Sequence, residues 1–367
     1  MNNLRVIPVL GSDLVKVSCL EVVERLGDQW KQLSGATVLI TGGAGFLGRW
    51  FLTTLALVNE HVLSYRPCHI VCLDNFSRGR PKWLDALPGT ETIMADISAI
   101  EFGSLPRFEY VVHGASIASP LFYRRAPLAT MDANVRGIRA LLEACVARIG
   151  AVRSVLFMST SEIYGDPPAH EVPTSEAYNG NVSCTGPRAC YDESKRYGET
   201  LCTTFHRVHG IPVKIARPFN NYGPGFVLED GRVIPDLMRS VLSGQDIVLH
   251  SDGAPTRTFC YGADAVTGYF QLLFSDRNGE PYNIGAARPE ISMGDLARLV
   301  ADLAATELGR TVRIAHEASD DLHYLTHNPQ RRCPDITKAR NDIGFSPRWT
   351  LEAGLLATLR WHLQEVR

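Results

Sequence analysis

The sequence lacks the features that mark several protein classes. No apolar run reaches membrane-spanning length, and the N-terminus does not show the charged-then-apolar order of a signal peptide. No long basic run is present and the formal net charge is -2, so we expect neither nucleic acid nor a membrane as a partner. Internal repeats and low-complexity segments are also missing. These absences leave an ordinary globular protein, which we expect in the cytoplasm.

The nine cysteines are scattered along the chain. They form no C-x-x-C pair, and no histidine stands at metal-ligand spacing, so we predict no metal site. Cys72, Cys145 and Cys202 lie in apolar segments, where cysteine serves as a small core residue. Cysteines used in this way are typical of a reducing cytoplasm.

The chain is long enough for two domains. Its 367 residues, 45% hydrophobic and 21% charged, can bury a large core. Residues 1–35 precede the first recognisable unit, and helical spacing of apolar residues predicts an amphipathic helix there, to which we assign no chemistry. These apolar residues are Leu20, Val23, Leu26, Trp30 and Leu33.

A glycine-rich turn follows the first buried strand. In "ATVLITGGAGFLGRWFLTTLAL", Gly42, Gly45 and Gly48 stand between a strand and a helix. Glycines let the backbone turn tightly and approach a pyrophosphate, whose charge the helix N-terminus meets. This order of strand, glycines and helix predicts a dinucleotide site.

The next strands supply further candidates for that site. "HIVCLD" ends at Asp74, from which a carboxylate can accept a hydrogen bond from the adenosine ribose and disfavour a 2′-phosphate, so we favour NAD over NADP. Asp74 could instead cap the turn before Asn75, and Arg78 and Arg80 keep NADP open.

"TIMADI" and "YVVHGAS" end in small or polar residues, as strands bordering a ligand do. From them, Asp96 and Ile97 could frame the adenine and Ala115 could let the cofactor pass. Asn134, near the start of the next helical run, could equally be a helix or turn residue only.

Two later segments carry the candidate catalytic groups. "SVLFMSTSEIYG" delivers Thr160, Ser161 and Glu162 at the end of an apolar strand, although such residues also cap strand ends. In "YDESK", Tyr191 and Lys195 stand four apart and share a helix face. A neighbouring ammonium would lower the pKa of the phenol and make it a credible base, whereas the plain alternative is a stacked surface pair.

Together these segments resemble the extended short-chain dehydrogenase/reductase superfamily, in the branch that acts on nucleotide sugars. The resemblance covers about residues 36–362 and narrows to UDP-glucuronate decarboxylases (UDP-xylose synthases). Four blocks in the right order carry it: the region from "STSEIYG" to "YDESKRYGET", then "ARPFNNYGPG", "DGRVIPDLMRSVLSGQDIVLHSDGAPTRTFCY" and "PQRRCPDITKARNDIGFSP".

The resemblance implies roles for matching positions. It makes Thr160, Tyr191 and Lys195 the catalytic triad and places Ser161 and Glu162 near C5 and C6 of the sugar. The cofactor NAD would be bound by Gly42, Gly45, Phe46, Leu47, Gly48, Asp74, Asn75, Asp96, Ile97, Ala115, Pro218, Tyr191 and Lys195. The nucleotide sugar would be bound by Tyr123, Asn220, Arg232, Arg257 and Arg332, because guanidinium forks fit a diphosphate or carboxylate.

The resemblance also implies internal redox chemistry. Tyr191 would take the C4 proton while hydride passes from C4 to NAD, which turns a C6 carboxylate into a β-keto acid that loses CO2. Return of hydride would leave UDP-xylose and regenerate NAD. The Ser161-Glu162 pair counts against a 4,6-dehydratase, which has Asp before that Glu. A 4-epimerase acting on a modified sugar remains the alternative, and a non-catalytic NAD-binding protein is the least favoured.

Three departures from the decarboxylase pattern surround the substrate and support the epimerase alternative. Gly225 stands where an Arg is usual, and Phe122 replaces an Asn or Glu. Residues 322–328, "LHYLTHN", look inserted beside a presumed phosphate-binding edge.

The expected fold class is α/β, a doubly wound parallel sheet of the Rossmann type with a smaller α+β substrate-binding lobe. We assign 36–217 to the NAD-binding domain, with returns near 256–290, and 218–255 and 291–367 to the substrate-binding lobe. The resemblance further implies a homodimer joined through helices of the main domain, including the Tyr191 helix.

Overall fold

The computed structural model describes residues 13–319, 326 and 328–365. The N-terminal part of the predicted extension and most of the insertion at 322–328 lie outside these residues. The strands are β1 (Thr37–Thr41), β2 (His69–Asp74), β3 (Thr90–Met94), β4 (Tyr110–His113), β5 (Ser154–Met158), β6 (Val213–Pro218), β7 (Asn221–Tyr222), β8 (Ile247–Leu249), β9 (Thr256–Arg257), β10 (Cys260–Tyr261), β11 (Pro281–Ile284), β12 (Ile291–Ser292), β13 (Ile314–His316) and β14 (Arg331–Arg332).

Helices connect and cover these strands. They are α1 (Leu14–Leu26), α2 (Phe46–His61), α3 (Lys82–Asp85), α4 (Pro120–Arg125), α5 (Pro127–Asp132), α6 (Ile138–Val146), α7 (Ala189–His209), α8 (Val233–Ser243), α9 (Gly262–Phe274), α10 (Met293–Leu308), α11 (Thr337–Ile343) and α12 (Leu351–Glu365). None of the helices in the described ranges is long and apolar enough to cross a membrane.

The central sheet has the order β11-β6-β5-β4-β1-β2-β3, and every neighbouring pair is parallel. The strand order reverses between β1 and β4, where the sheet is built outward in both directions. The predicted doubly wound parallel sheet is confirmed. Its carboxyl ends all lie at one edge, where Thr41 pairs with Leu73 on one side and His113 on the other. Ligands of such sheets bind at this edge.

The smaller sheets combine strands of the segments assigned to the substrate-binding lobe with β9 and β10 of the segment near 256–290. β9 pairs with β12 and β14, and β8 pairs with β13. β11, from the segment near 256–290, returns to the main sheet beside β6. The boundaries between the two lobes stay a prediction.

α1 covers part of the segment in which we expected an amphipathic helix. Its buried face includes Val22, Val23 and Leu26, and its side chains bond to α9 and the residue before it. Ser18 Oγ lies 2.8 Å from Tyr261 Oη, and an Arg25 guanidinium nitrogen lies 2.6 Å from an Asp264 carboxylate oxygen. The helix is thus fixed to the main body of the fold.

α7 packs on the central sheet, and the face that it turns toward the sheet carries apolar and small residues. Gly198 allows close packing, because a Cβ there would come within 2.5 Å of the Phe157 ring on β5. Asn134, in a π-helical turn before α6, donates to Ser194 Oγ at 2.9 Å. Ser194 Oγ in turn donates to the Cys190 carbonyl oxygen at 2.6 Å. These contacts fix where the first turns of α7 stand against β5.

Candidate active site

The glycine-rich turn leaves room for a phosphate at the N-terminus of α2. Gly42 has φ +72°, and a Cβ on it would lie 2.7 Å from the Ala115 amide nitrogen. A Cβ on Gly48 would lie 2.3 Å from the Gly43 carbonyl oxygen. Gly45 is the N-cap of α2 and offers no side-chain cap, so the first amides of the helix stay available to an anion.

Acidic residues end β2 and follow β3 at the same edge. Asp74 accepts hydrogen bonds from the amides of Ala44 at 3.0 Å and Phe76 at 2.8 Å, so it links the glycine turn to the loop after β2. The bond from the Phe76 amide shows that Asp74 caps the turn after β2. The Asp74 carboxylate also stays beside the glycine-rich turn. Asp96 accepts from Asn75 Nδ2 at 3.0 Å.

The remaining predicted cofactor residues lie near the same edge. Phe46 and Leu47 form the first turn of α2, and Phe46 packs on Phe226 with ring centres 4.3 Å apart. Ile97 is buried, and Pro218 is the last residue of β6. The two arginines that kept NADP open are held by other partners. Arg78 bonds to Asp230 at 3.1 Å, and Arg80 bonds to Asp85 at 2.8 Å.

Tyr191 occupies the first turn of α7 and is buried. Its ring stacks on Tyr123 with centres 5.0 Å apart and planes 4° apart, and its hydroxyl is hydrogen-bonded to Thr160. Thr160 Oγ1 also accepts a hydrogen bond from the Glu162 amide at 3.2 Å and so caps the 3-10 turn Ser161–Tyr164. Thr160 therefore has the capping role that was the alternative to a catalytic one. The structure therefore brings the end of β5 and the start of α7 together.

Lys195 lies four residues after Tyr191 on α7, and both residues are buried. Its ammonium donates to the Met158 carbonyl oxygen at 2.7 Å and lies 5.1 Å from the centre of the Phe157 ring. Burial lowers the pKa of Lys195 to about 7. Burial also raises the pKa of Tyr191 to about 12, against the opposing hydrogen bond with Thr160. The lowering of the phenol pKa by Lys195 stays a prediction.

Glu162 is shared by two arginines. Arg188 and Arg332 both donate to its Oε2, the latter at 2.5 Å. Burial acts to raise the pKa of Glu162, but Arg188, Arg332 and Arg257 outweigh it and hold the pKa at about 2. Glu162 is thus a fixed negative charge that positions two guanidinium groups beside the end of β5.

Sequence reasoning missed Arg188. This residue is the N-cap of α7, and it also donates through Nε to Asp192 at 3.4 Å. The available signal was its place one turn before Tyr191, which puts it near any group that the tyrosine contacts. Its pairing with Glu162 joins chain positions 26 residues apart and could not be read from local spacing.

Arg257 is buried on β9 and donates only to neutral oxygens within the described residues. Its partners are the carbonyls of Thr256, Gln330 and Pro329 and the Asn328 side chain, at 2.8, 3.3, 2.6 and 3.1 Å. Burial, then the nearby Arg332, lowers the pKa of Arg257 to about 9. A buried cation with neutral partners is a favourable place for an anionic group of a ligand.

Two further predicted substrate residues follow β6, with Asn220 between β6 and β7 and Arg232 at the N-cap of α8. Asn220 has φ +42° and donates to the Thr258 carbonyl oxygen at 2.8 Å. Arg232 pairs with the buried carboxylate of Asp230, which also holds Arg78. The roles of these residues, like those of the proposed triad, stay predictions.

The departures noted from the sequence have specific surroundings. Gly225 has φ +91°, and the Arg49 side chain fills the space where a Cβ would point, with Cδ at 3.3 Å. Arg49 itself lies 5.3 Å from the ring centres of both Trp83 and Trp361.

Phe122 packs against the Arg78 guanidinium at 4.2 Å. Of the insertion at 322–328, the structure describes Thr326 and Asn328, and the latter bonds to Arg257.

The profile of the NAD dependent epimerase/dehydratase family matches residues 38–285. The chain belongs to this family. Among curated relatives, UDP-glucuronic acid decarboxylase 6 of Arabidopsis thaliana is 37% identical over 326 residues, which cover 88% of this chain and 87% of the relative. UDP-glucuronic acid decarboxylase 1 of Xenopus tropicalis is 36% identical over 329 residues, or 90% of this chain and 72% of the relative.

Solved structures of epimerases and dehydratases share the fold. UDP-glucose 4-epimerase of Thermotoga maritima superposes with a TM-score of 0.77 at 24% identity, covering 90% of this chain and all 100% of the other. dTDP-glucose 4,6-dehydratase of Streptomyces venezuelae, solved with NAD bound, has a TM-score of 0.74 at 25% identity, covering 89% and 97%.

Membership of the NAD dependent epimerase/dehydratase family makes NAD the cofactor, and the residues present fit it. A Cβ on Gly42 or Gly48 would collide with the backbone, so the turn depends on glycine at both positions, and Asp74 would offer a carboxylate to the ribose. The engagement of Arg78 and Arg80 with other carboxylates agrees with NAD and not NADP.

Replacement of Glu162 by Gln tests the arginine cluster of this epimerase/dehydratase. We expect Glu162→Gln to lower the free energy of unfolding at pH 7 by about 3 kcal/mol, because the partly buried Arg332 loses its carboxylate and Arg188 keeps only its contact with Asp192. Since its pKa is held at about 2, the contribution of Glu162 is present above its unfolded value of about 4.3 and is lost as the pH falls toward 2.

Urea unfolding of wild type and variant at pH 7 and at pH 3 measures this difference. It should be smaller at pH 3. An equal difference at both values would mean that Glu162 acts through packing and not through its charge.

Proposed function

We propose that this chain decarboxylates a nucleotide-linked hexuronate, with UDP-glucuronate as the substrate and UDP-xylose as the product. The observation that carries the proposal is the buried Arg257, whose described partners are all neutral, beside Arg188 and Arg332. Glu162 is shared by Arg188 and Arg332 and does not contact Arg257 within ion-pair distance. An anionic substituent of the sugar would complete this cluster. The 37% identity to a UDP-glucuronic acid decarboxylase supports the same substrate.

The oxidation site in this proposal is formed by Tyr191 and Thr160. Their hydroxyls are hydrogen-bonded to each other, so both can reach one hydroxyl group of the sugar. Tyr191 accepts the proton of the C4 hydroxyl, and Thr160 holds the same oxygen. The stacked Tyr123 keeps water from the face of the phenol that it covers.

When bound, NAD accepts and returns the hydride at C4, and it adds a positive charge that favours the ionised form of nearby acids. Lys195 serves this site from the end of β5, where Met158 holds its ammonium. Arg257, Arg188 and Arg332 hold the C6 carboxylate until C4 is oxidised, and the residue Ser161 between Thr160 and Glu162 lies at the C5 side.

The nucleotide part of the substrate is assigned to Asn220, which follows β6, and to Arg232 at the N-cap of α8. Arg232 is half-exposed and paired with Asp230, so its free donors can take a diphosphate oxygen. Asn220 keeps an unusual backbone conformation that directs the loop toward β9. These contacts support a nucleotide diphosphate sugar and do not select the base, which we assign to uridine from the relatives.

A second candidate is C4 epimerisation of the same class of sugar. Carboxylate binding by Arg257 serves an epimerase as well, and a UDP-glucuronic acid 4-epimerase of Bacillus cereus shares the fold with a TM-score of 0.72.

Incubation of the purified protein with UDP-glucuronate and NAD tests the proposal. We expect the mass of the sugar nucleotide to fall by one CO2. Tyr191→Phe should give no product while retaining bound NAD, because it removes the proton acceptor and no predicted phosphate contact. An isomer of unchanged mass would establish the epimerase, and turnover by Tyr191→Phe would remove the tyrosine from its role.

Arg257→Met tests which anion the cluster binds. Loss of a charged hydrogen-bond donor should raise the KM for UDP-glucuronate about 10- to 100-fold, while the Kd for UDP, which has no carboxylate, changes little. The matched control is Arg331→Met on the same small sheet, because Arg331 pairs with Glu290 at the surface. Equal weakening of UDP and UDP-glucuronate would instead assign Arg257 to the diphosphate.

We also propose a homodimer formed through α5 and α7. The two helices pack on each other and expose Leu128, Met131, Tyr197 and Val208. Burial of this apolar surface against a second copy would remove it from water. Light scattering should give twice the chain mass of 40.4 kDa, and a monomer at micromolar concentration would contradict the proposal.

A cytoplasmic location is the last part of the proposal. All nine cysteines are free thiols, and Cys184 is the exposed one, which agrees with a reducing compartment. Recovery of the protein from a secreted fraction would contradict it.

A further inference from the structure

Asp192 is a buried carboxylate that the proposed chemistry does not use. It follows Tyr191 on α7 and is 4% exposed. One of its oxygens accepts from Arg188 Nε at 3.4 Å. The other, Oδ1, is buried and has no hydrogen-bond partner among the described residues. An ionised carboxylate in this position has too few hydrogen-bond donors to offset the burial of its charge. A protonated carboxyl group carries no charge and does not need them.

A cavity of about 440 Å³ reaches Asp192 from the side of the loop before α7. Its wall includes Arg188, Asn181, Ser183 and Gln330, so it is polar and wide enough to hold water. Within the described part of the chain, Tyr191 and Thr160 do not line it. Asp192 can therefore exchange a proton with solvent along a path that does not pass the reacting hydroxyl.

Arg188 lies between two carboxyl groups that differ in their hydrogen bonds and in their pKa values. Glu162 receives two guanidinium donors, and its pKa is held at about 2. Asp192 receives one weak contact, and burial, followed by the negative charge of Glu162, raises its pKa to about 7 against the opposing charge of Arg188. The titratable and charged groups that face Asp192 are Arg188, Glu162, Arg332, Tyr123, Cys190 and Tyr191.

We infer that Asp192 takes up one proton from solvent when the C6 carboxylate of the sugar binds to the arginine cluster. The inference rests on the proposed function. A second anion near Arg188 competes for its charge and disfavours the ionised form of the less well bonded carboxyl group, which is Asp192. Asp192 is a positioning residue in this account. It keeps the charge of the cluster matched to the substrate and is not assigned any contact with C5.

The proton balance of decarboxylation agrees with this role. The bond from C5 to the carboxylate carbon breaks, CO2 leaves, and the electron pair passes to C5 and into the C4 ketone. C5 then takes one proton, so each turnover consumes one. With the carboxylate gone, the cause of the proton uptake at Asp192 disappears and that proton is released beside the site.

Isothermal titration calorimetry of UDP-glucuronate tests the inference. The Tyr191→Phe background prevents turnover, and buffers of different ionisation enthalpy give the number of protons taken up per substrate. A group with a pKa near 7 is half-protonated at pH 7, so uptake should be at most about 0.5 proton there and about 0.9 at pH 8. UDP-glucose, which has a neutral C6 group, should cause none.

Asp192→Asn in the same background should bind UDP-glucuronate without proton uptake. The matched control is Glu193→Gln, which removes the neighbouring carboxylate on the solvent side of the helix. Glu193 pairs with Arg196 there, so this substitution should leave the proton uptake unchanged. Circular dichroism and retained NAD check the fold. If the Asn variant does not fold, Asp192→Ser takes its place.

Each outcome separates the two proposals. Uptake that persists without Asp192, or UDP-glucuronate binding to the Tyr191→Phe protein without uptake, overturns the inference even if the wild type releases CO2. Failure of the wild type to convert UDP-glucuronate overturns the proposed function instead, whatever the proton count.

Discussion

The site depends on one shared carboxylate. Glu162 follows β5, and its two guanidinium partners come from the residue before α7 and from β14. This single group therefore joins the main sheet, the helix that carries Tyr191 and the small sheet that carries Arg257. Because its charge persists across the physiological pH range, the three elements keep a fixed relation to one another. The interaction is partly buried, so its loss would leave Arg332 without its carboxylate and Arg188 with only its 3.4 Å contact to Asp192, and would cost more than the pair itself contributes.

Local patterns predicted the parts of the fold that local physics determines. The glycines after β1, the acidic end of β2 and the parallel sheet follow from sterics, strand direction and alternation, and they were predicted correctly. The sequence also predicted that Thr160 and Tyr191 meet, because both stand where β5 and α7 approach the same edge. Asn134, assigned only to a helix or turn, in addition holds α7 through Ser194.

The parts that the sequence could not supply depend on burial and on distant partners. The spacing of Tyr191 and Lys195 places both on one face of a helix, but it does not contain the Met158 carbonyl that binds the ammonium or the apolar surroundings that lower its pKa. Arg188 was missed for a similar reason, since its main partner lies on another element. Charges in a folded site follow from desolvation and from contacts across the chain, and neither is visible in residue spacing.

The packing of Arg49 between two indole rings has a consequence for the whole chain. Arg49 follows the last glycine of the nucleotide-binding turn, whereas Trp361 belongs to the last helix, α12. Opening of α12 would remove one of the two rings that contact Arg49, so the contact couples the cofactor turn to the C-terminal helix. By reciprocity, a ligand that orders the turn would also protect the backbone amides of α12 from exchange.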